Sequence, residues 1–125
     1  MVLVDTSIWI DHFRHKDQTL SDLLMSYQVL MHPFVRGELA LGNLKPRGEI
    51  LQLLADLPQA AVAAEHELLS VVESRKLMGL GIGLIDAHLI ASALLEACPI
   101  YTRDKRLLAA TIKLKIARVY SAARN

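Results

Sequence analysis

Hydrophobic residues fall along this chain in short blocks whose period changes from one block to the next. Val2–Val4 is a compact, β-branched-rich run that stops at Asp5-Thr6-Ser7, the pattern of a buried strand followed by a helix N-terminus. Ile8, Trp9, His12 and Phe13 then recur at helical spacing. Leu20–Tyr27 predicts a second short helix and Val29–Met31 a second strand. Pro33 suits the first turn of a third helix, which Gly42-Asn43 would stop. Glu49–Leu57 is amphipathic and ends before Pro58, and Glu65–Leu77 predicts a longer helix with Leu68, Leu69, Val72 and Leu77 on its apolar side. After a glycine-spaced loop, Gly79–Gly83, a helix is expected from Ile85 to Ala97, then a third strand at Ile100–Thr102. A short helix around Arg106–Ala110 and an edge strand at Ile116–Tyr120 close the pattern.

Short apolar strands alternating with helices argue for an α/β fold on a short central parallel sheet covered on both faces. The chain shows no repeat, low-complexity tract or long linker. Its 125 residues suffice for one core, so residues 1–125 are read as a single domain.

Composition changes that picture little. Hydrophobic residues make up 53% and charged residues 22%, as in a globular chain. The mean hydropathy of +0.32 hints at a buried partner surface, either a homodimer face or a groove for another chain. Fourteen basic and thirteen acidic residues leave a net charge of +1, so any affinity for nucleic acid must come from the arrangement of charge and not its total. A single cysteine, Cys98, excludes an internal disulfide framework and fits a reducing compartment such as the cytoplasm. The opening MVLVDTSIW has no basic segment and carries Asp5 within its apolar run, unlike a signal peptide. The apolar stretch from Leu77 to Thr102 holds Asp86, three glycines and Pro99. An acid at a membrane centre costs about 2.5–3.5 kcal/mol, so this is read as buried core and no membrane partner is expected.

Four acids call for a reason: Asp5, Glu38, Asp86 and Asp104. Asp5 and Asp104 follow apolar strands directly, at the strand ends where open α/β sheets bind ligands. Asp86 opens an apolar helix, and Glu38 lies within the mostly apolar helix Phe34–Ala40. Taken singly, Asp5, Asp86 and Asp104 could be N-caps or first-turn acids, worth roughly 0.5–2 kcal/mol each, and Glu38 a solvated or ion-paired helix residue. Taken jointly, they would repel one another unless a cation held them together. Hard oxygen ligands suit Mg²⁺ or Mn²⁺, ions that also bind phosphate oxygens, so a metal-assisted phosphodiester hydrolase follows.

The segments around these acids resemble those of PIN domains, VapC-type toxins in particular. Val4-Asp5-Thr6-Ser7-Ile8-Trp9-Ile10-Asp11 is similar to the opening strand and turn of that family. Arg36-Gly37-Glu38-Leu39 resembles its second-acid segment, Gly83-Leu84-Ile85-Asp86-Ala87-His88 its third, and Tyr101-Thr102-Arg103-Asp104 its fourth. His88 stands where an acid or a small residue is common in the family. The resemblance spans nearly the whole chain. It implies a three-layer α/β/α fold with Asp5, Glu38, Asp86 and Asp104 in one pocket, binding one or two Mg²⁺ or Mn²⁺ ions directly or through water. It further implies in-line hydrolysis of RNA, a cognate VapB-type antitoxin as partner, and assembly as a homodimer and as a toxin–antitoxin hetero-oligomer. Thr6, Ser7 and Thr102 could add hydroxyl contacts, though Thr6 and Ser7 are equally good N-caps.

Other features are weaker. Arg103, Lys105 and Arg106 flank Asp104 and could hold an RNA backbone, or form an ordinary solvated helix start. His12 and His15 have a one-turn spacing but no third ligand beside them. Trp9 is expected to pack in a core or an interface rather than stack on a base. Gly79-Leu-Gly81-Ile-Gly83 lacks the preceding strand and the spacing of a dinucleotide fingerprint and is read as the loop delivering Asp86. Cys98 has no evident base partner and is expected to be buried and inert. Among rival functions, a haloacid-dehalogenase-like phosphotransferase would need an acid where Ser7 stands, and a receiver-like domain a lysine that the Arg103-Asp104 segment does not supply. A catalytically silent RNA- or protein-binding module on the same fold is the remaining alternative, and the presence of all four acids argues against it.

Overall fold

The computed structural model describes residues 1–118. Three parallel strands, β1 (Val2–Val4), β2 (Val29–Leu30) and β3 (Ile100–Tyr101), form a sheet in the order β2-β1-β3. Leu3 pairs with Leu30 on one side and with Ile100 on the other, and Val4 pairs with Tyr101. Successive strand residues point to opposite faces, yet Val2, Leu3 and Val4 are all buried, so both faces of the sheet are covered. The result is the expected three-layer α/β/α arrangement.

Seven helices surround the sheet among the described residues: α1 (Thr6–Arg14), α2 (Gln18–Met25), α3 (Pro33–Ala40), α4 (Arg47–Asp56), α5 (Glu65–Ser74), α6 (Leu84–Glu96) and α7 (Lys105–Lys113). The chain runs from β1 to β2 on one side and returns to β3 on the other. The carboxyl ends of β1 and β3 therefore flank a topological switch point, the place where such sheets leave a crevice. Helix α6 is buried on most of its circumference (Ala87, Leu89, Ile90, Ala91, Ser92 and Ala93), which accounts for its nearly continuous apolar sequence. No helix among the described residues is long and apolar enough to cross a membrane.

Several elements differ in extent from the sequence reading. Helix α5 stops at Ser74 because Lys76 turns into the left-handed region, with φ +55°. Leu69, expected on its inner face, is 54% exposed: Leu68, Val71 and Val72 form the inward stripe, and Leu69 lies about 100° round the helix from Leu68. Helix α7 is longer than foreseen because Leu107, Ala110, Thr111 and Leu114 continue one inward stripe past its lysines. The expected edge strand at Ile116–Tyr120 is a single bridge between Ala117 and Ile100 within the described residues; Val119 and Tyr120 lie outside them. On the opposite edge Met31 pairs once with Gln59.

Candidate active site

Asp5 ends β1 and caps α1. It is buried, and its Oδ2 accepts three hydrogen bonds: from Ser7 N at 3.4 Å, Ser7 Oγ at 2.8 Å and Thr102 Oγ1 at 2.7 Å. Its Oδ1 takes none from the described residues, so one carboxylate oxygen is anchored and the other is available. The two hydroxyls are themselves held by backbone, since Arg103 N donates to Ser7 Oγ at 3.0 Å and Asp104 N to Thr102 Oγ1 at 3.0 Å. The turn after β3 thus grips the turn after β1.

Asp104 caps α7, accepting from Leu107 N at 2.9 Å. Asp86 lies in the first turn of α6 and accepts from Gly83 N at 3.3 Å. Glu38, exposed on α3, accepts from Thr6 Oγ1 at 2.8 Å. Thr6, the residue beside Asp5, therefore ties Glu38 to the turn after β1. Asp5, Asp86 and Asp104 thus all stand at helix starts and bond their own capping amides, whereas Glu38 lies within α3.

Electrostatics ties the four together. Burial first, and then the negative charges of Asp5, Asp104 and Glu38, push the Asp86 carboxyl above its ordinary value, against the pull of the Gly83 amide. One half-buried acid thus feels the other three, which arrive from β1, α3 and the turn after β3. Among the described residues no three acidic, histidine or cysteine side chains converge tightly enough to grip one ion unaided. The set is open, made of hard oxygen atoms, and fits an ion that keeps part of its water shell, as Mg²⁺ does.

The flanking cations divide. Arg103 pairs with Asp17 and, at 3.0 Å, with Asp11, so its guanidinium is committed to α1 and α2. Arg106 lies on the glycine loop, with its Nη1 3.4 Å from Gly81 O. Lys105 is exposed. Gly79 and Gly81 both have positive φ, as suits a loop. His12 and His15 do not form a metal pair: His12 Nδ1 accepts from Asp17 N at 3.0 Å, and His15 is the exposed C-cap of α1. Trp9 and Cys98 are buried, and burial raises the Cys98 thiol. The His88 ring packs edge-on against Phe34 with centroids 4.8 Å apart.

Two buried groups escaped the sequence reading. Asp17 caps α2 through Leu20 N and receives the Tyr101 hydroxyl at 3.1 and 3.2 Å. His32 caps α3 through Phe34 N. Each stands just before a helix at an N-cap place, the local signal by which it could have been found.

The family model described as PIN domain matches residues 2–113. Ribonuclease VapC32 of Mycobacterium tuberculosis is 46% identical over 118 residues, covering 94% of this chain and 95% of that protein. Among solved structures, a toxin–antitoxin complex from Klebsiella pneumoniae superposes with a TM-score of 0.67 at 20% identity, over 87% of this chain and 91% of the other. PAE2754 from Pyrobaculum aerophilum does so with a TM-score of 0.65 at 19% identity, over 93% and 86%.

Proposed function

As this chain belongs to the PIN-domain family, and within it to the VapC-type proteins, we propose that it is a single-domain, metal-dependent endoribonuclease and the toxin of a type II toxin–antitoxin pair. The observation that carries the proposal is geometric: at the sheet's switch point Thr102 bonds both Asp5 and Asp104 and Thr6 bonds Glu38, with Asp86 near enough to feel their charge. The 46% identity to a ribonuclease over nearly the whole chain supports RNA as the substrate class.

Asp5, Glu38, Asp86 and Asp104 would hold Mg²⁺ or Mn²⁺, with one or two carboxylates direct and the rest through water. A bound divalent ion supplies an activated water and offsets charge on the scissile phosphate. The chain's own residues do the orienting. Ser7 and Thr102 fix Asp5 Oδ2 and leave Oδ1 to the ligand, and Thr6 steers Glu38. Of the three cations flanking Asp104, Lys105, exposed at the start of α7, would be left to hold an RNA phosphate, since Arg103 is held by two carboxylates and Arg106 lies on the loop.

A VapB-type antitoxin is the proposed protein partner, in keeping with the Klebsiella pneumoniae complex. An amphipathic helix in an apolar groove, with a basic side chain entering the acid pocket, would neutralise it. Homodimerisation, hetero-oligomerisation with the antitoxin and a cytoplasmic location complete the proposal. The lone reduced Cys98 fits that compartment.

The test is RNA cleavage by antitoxin-free protein with Mg²⁺ or Mn²⁺, with EDTA, and by the Asp5→Asn variant. Cleavage that needs the ion and is lost in the variant supports the proposal. Well-folded protein that cleaves no cellular RNA, or an Asp5→Asn variant that cleaves as the parent does, would leave a silent binding module.

A further inference from the structure

The start of α3 is tied to α6 by a buried polar chain that the acid pocket does not use. His32 and Ser92 have no exposed surface. Phe34 N donates to His32 Nδ1 at 2.9 Å. A backbone amide can only donate, so this ring nitrogen carries no proton and the imidazole proton sits on Nε2. Nε2 faces Ser92 Oγ at 3.0 Å, and Ser92 passes its own proton to Ala61 O at 2.7 Å. The chain runs in one direction, from an amide that must give to a carbonyl that must accept, and each of these atoms is satisfied. Such a network fixes geometry more tightly than apolar packing, because any shift leaves a buried donor or acceptor unpaired.

A ring contact runs beside it. Phe34 lies 5.1 Å from the His32 ring and 4.8 Å, edge-on, from His88. Phe34 and Glu38 are one turn apart on α3, as are His88 and Ser92 on α6, and Asp86 stands two residues before His88. The helices that carry Glu38 and Asp86 are therefore joined by the His32–Ser92 bond and the Phe34–His88 contact, between the start of α3 and the first half of α6.

We propose that His32 and Ser92 are positioning residues of the active centre, whose hydrogen bond seats α3 on α6 and so sets the spacing of Glu38 and Asp86. The proposal rests on reading those two acids as metal ligands. His32 and Ser92 touch neither ion nor RNA. A merely structural role would lower stability and leave ion binding by the folded protein unchanged.

The experiment compares the full-length parent with Ser92→Ala and His32→Asn. The Asn side chain keeps an acceptor for Phe34 N but falls short of Ser92. Mn²⁺ alone is titrated into each protein below its melting transition, free ion is followed by EPR, and kcat and KM for RNA cleavage are measured alongside. Both variants are expected to melt cooperatively, to need about tenfold more Mn²⁺ for half-saturation, and to lose kcat in step while KM for RNA holds. Unchanged Mn²⁺ half-saturation and kcat in folded Ser92→Ala protein overturn the proposal, and this milder variant decides if His32→Asn does not fold. Glu38→Gln and Asp86→Asn serve as controls. If they bind Mn²⁺ as the parent does, the metal-site reading itself is wrong and the proposal falls with it.

Discussion

Thr102 donates its hydroxyl to Asp5 Oδ2 at 2.7 Å, across a separation of 97 residues. Thr102 Oγ1 in turn accepts the amide of Asp104 at 3.0 Å, so one side chain orients two of the four acids. Replacing it with valine keeps the shape and removes both bonds. Thr102→Val is expected to lower RNA cleavage by roughly 10- to 100-fold. It should also cost about 1–3 kcal/mol of unfolding free energy, because buried Asp5 loses a donor. Cleavage assays and urea melts check the two halves separately, and full activity in the variant would mean that Asp5 is oriented by Ser7 alone.

Arg103 is a test of where the chain spends its cations. Its guanidinium bonds to buried Asp17 and to half-buried Asp11. Arg103→Ala is therefore expected to cost about 1–3 kcal/mol, a range discounted for the arginine's partial exposure. KM for RNA should change little in the folded variant. A raised KM with unaltered stability would instead make Arg103 an RNA contact.

Acid should weaken the fold in two steps. Burial, and then the nearby His88, push His32 down to about 4 from its ordinary 6.5. The unfolded chain then takes up this proton first, so the contribution is fully present above pH 6.5 and is lost as pH falls toward 4. It amounts to on the order of 3 kcal/mol. For Asp17, burial alone would raise the carboxyl, but the Arg103 hydrogen bond and the Leu20 amide outweigh it and hold it below its ordinary 3.8. That contribution is present above pH 3.8 and lost as pH drops through the lower folded value. Urea melts from pH 7 to pH 3 follow both, and His32→Asn should flatten only the upper step.

Gly81 has φ +76°, and a Cβ there would stand 3.0 Å from Arg106 Cδ and Nη1. Gly79 has φ +75° but open space around it. Gly79→Ala is expected to show only the backbone cost, about 1 kcal/mol, and Gly81→Ala more than that, since Arg106 must also move. Equal melting temperatures for the two variants would show that the Arg106 contact contributes nothing.

Much of this was legible in the chain. The three strands and the helix starts at Asp5, Pro33 and Asp104 follow from apolar runs that break at polar or proline residues, whereas Glu38 lies within α3 and breaks no run. What pairs with what was not legible. The Thr6 hydroxyl on Glu38 and Arg103 on Asp17 depend on how turns far apart in sequence meet, which no local pattern encodes. The inward face of α5 was misjudged because two adjacent leucines, Leu68 and Leu69, satisfy the same composition while pointing about 100° apart. His32 stood at a readable N-cap place, but its partnership with Ser92 was hidden for a different reason. Polar residues in apolar surroundings show their purpose only when their partner is known.

The pairing of β1 with β3 sets an order of events. The second residue of the chain already belongs to the central strand, yet that strand's neighbour begins at Ile100 and the fourth acid follows at Asp104. Asp5 and Glu38 find local partners in Ser7 and Thr6, but the Thr102 bond to Asp5 comes only with the turn after β3. A chain cut before Ile100 would lose β3, Thr102 and Asp104 together, and with them the donor that holds Asp5 Oδ2.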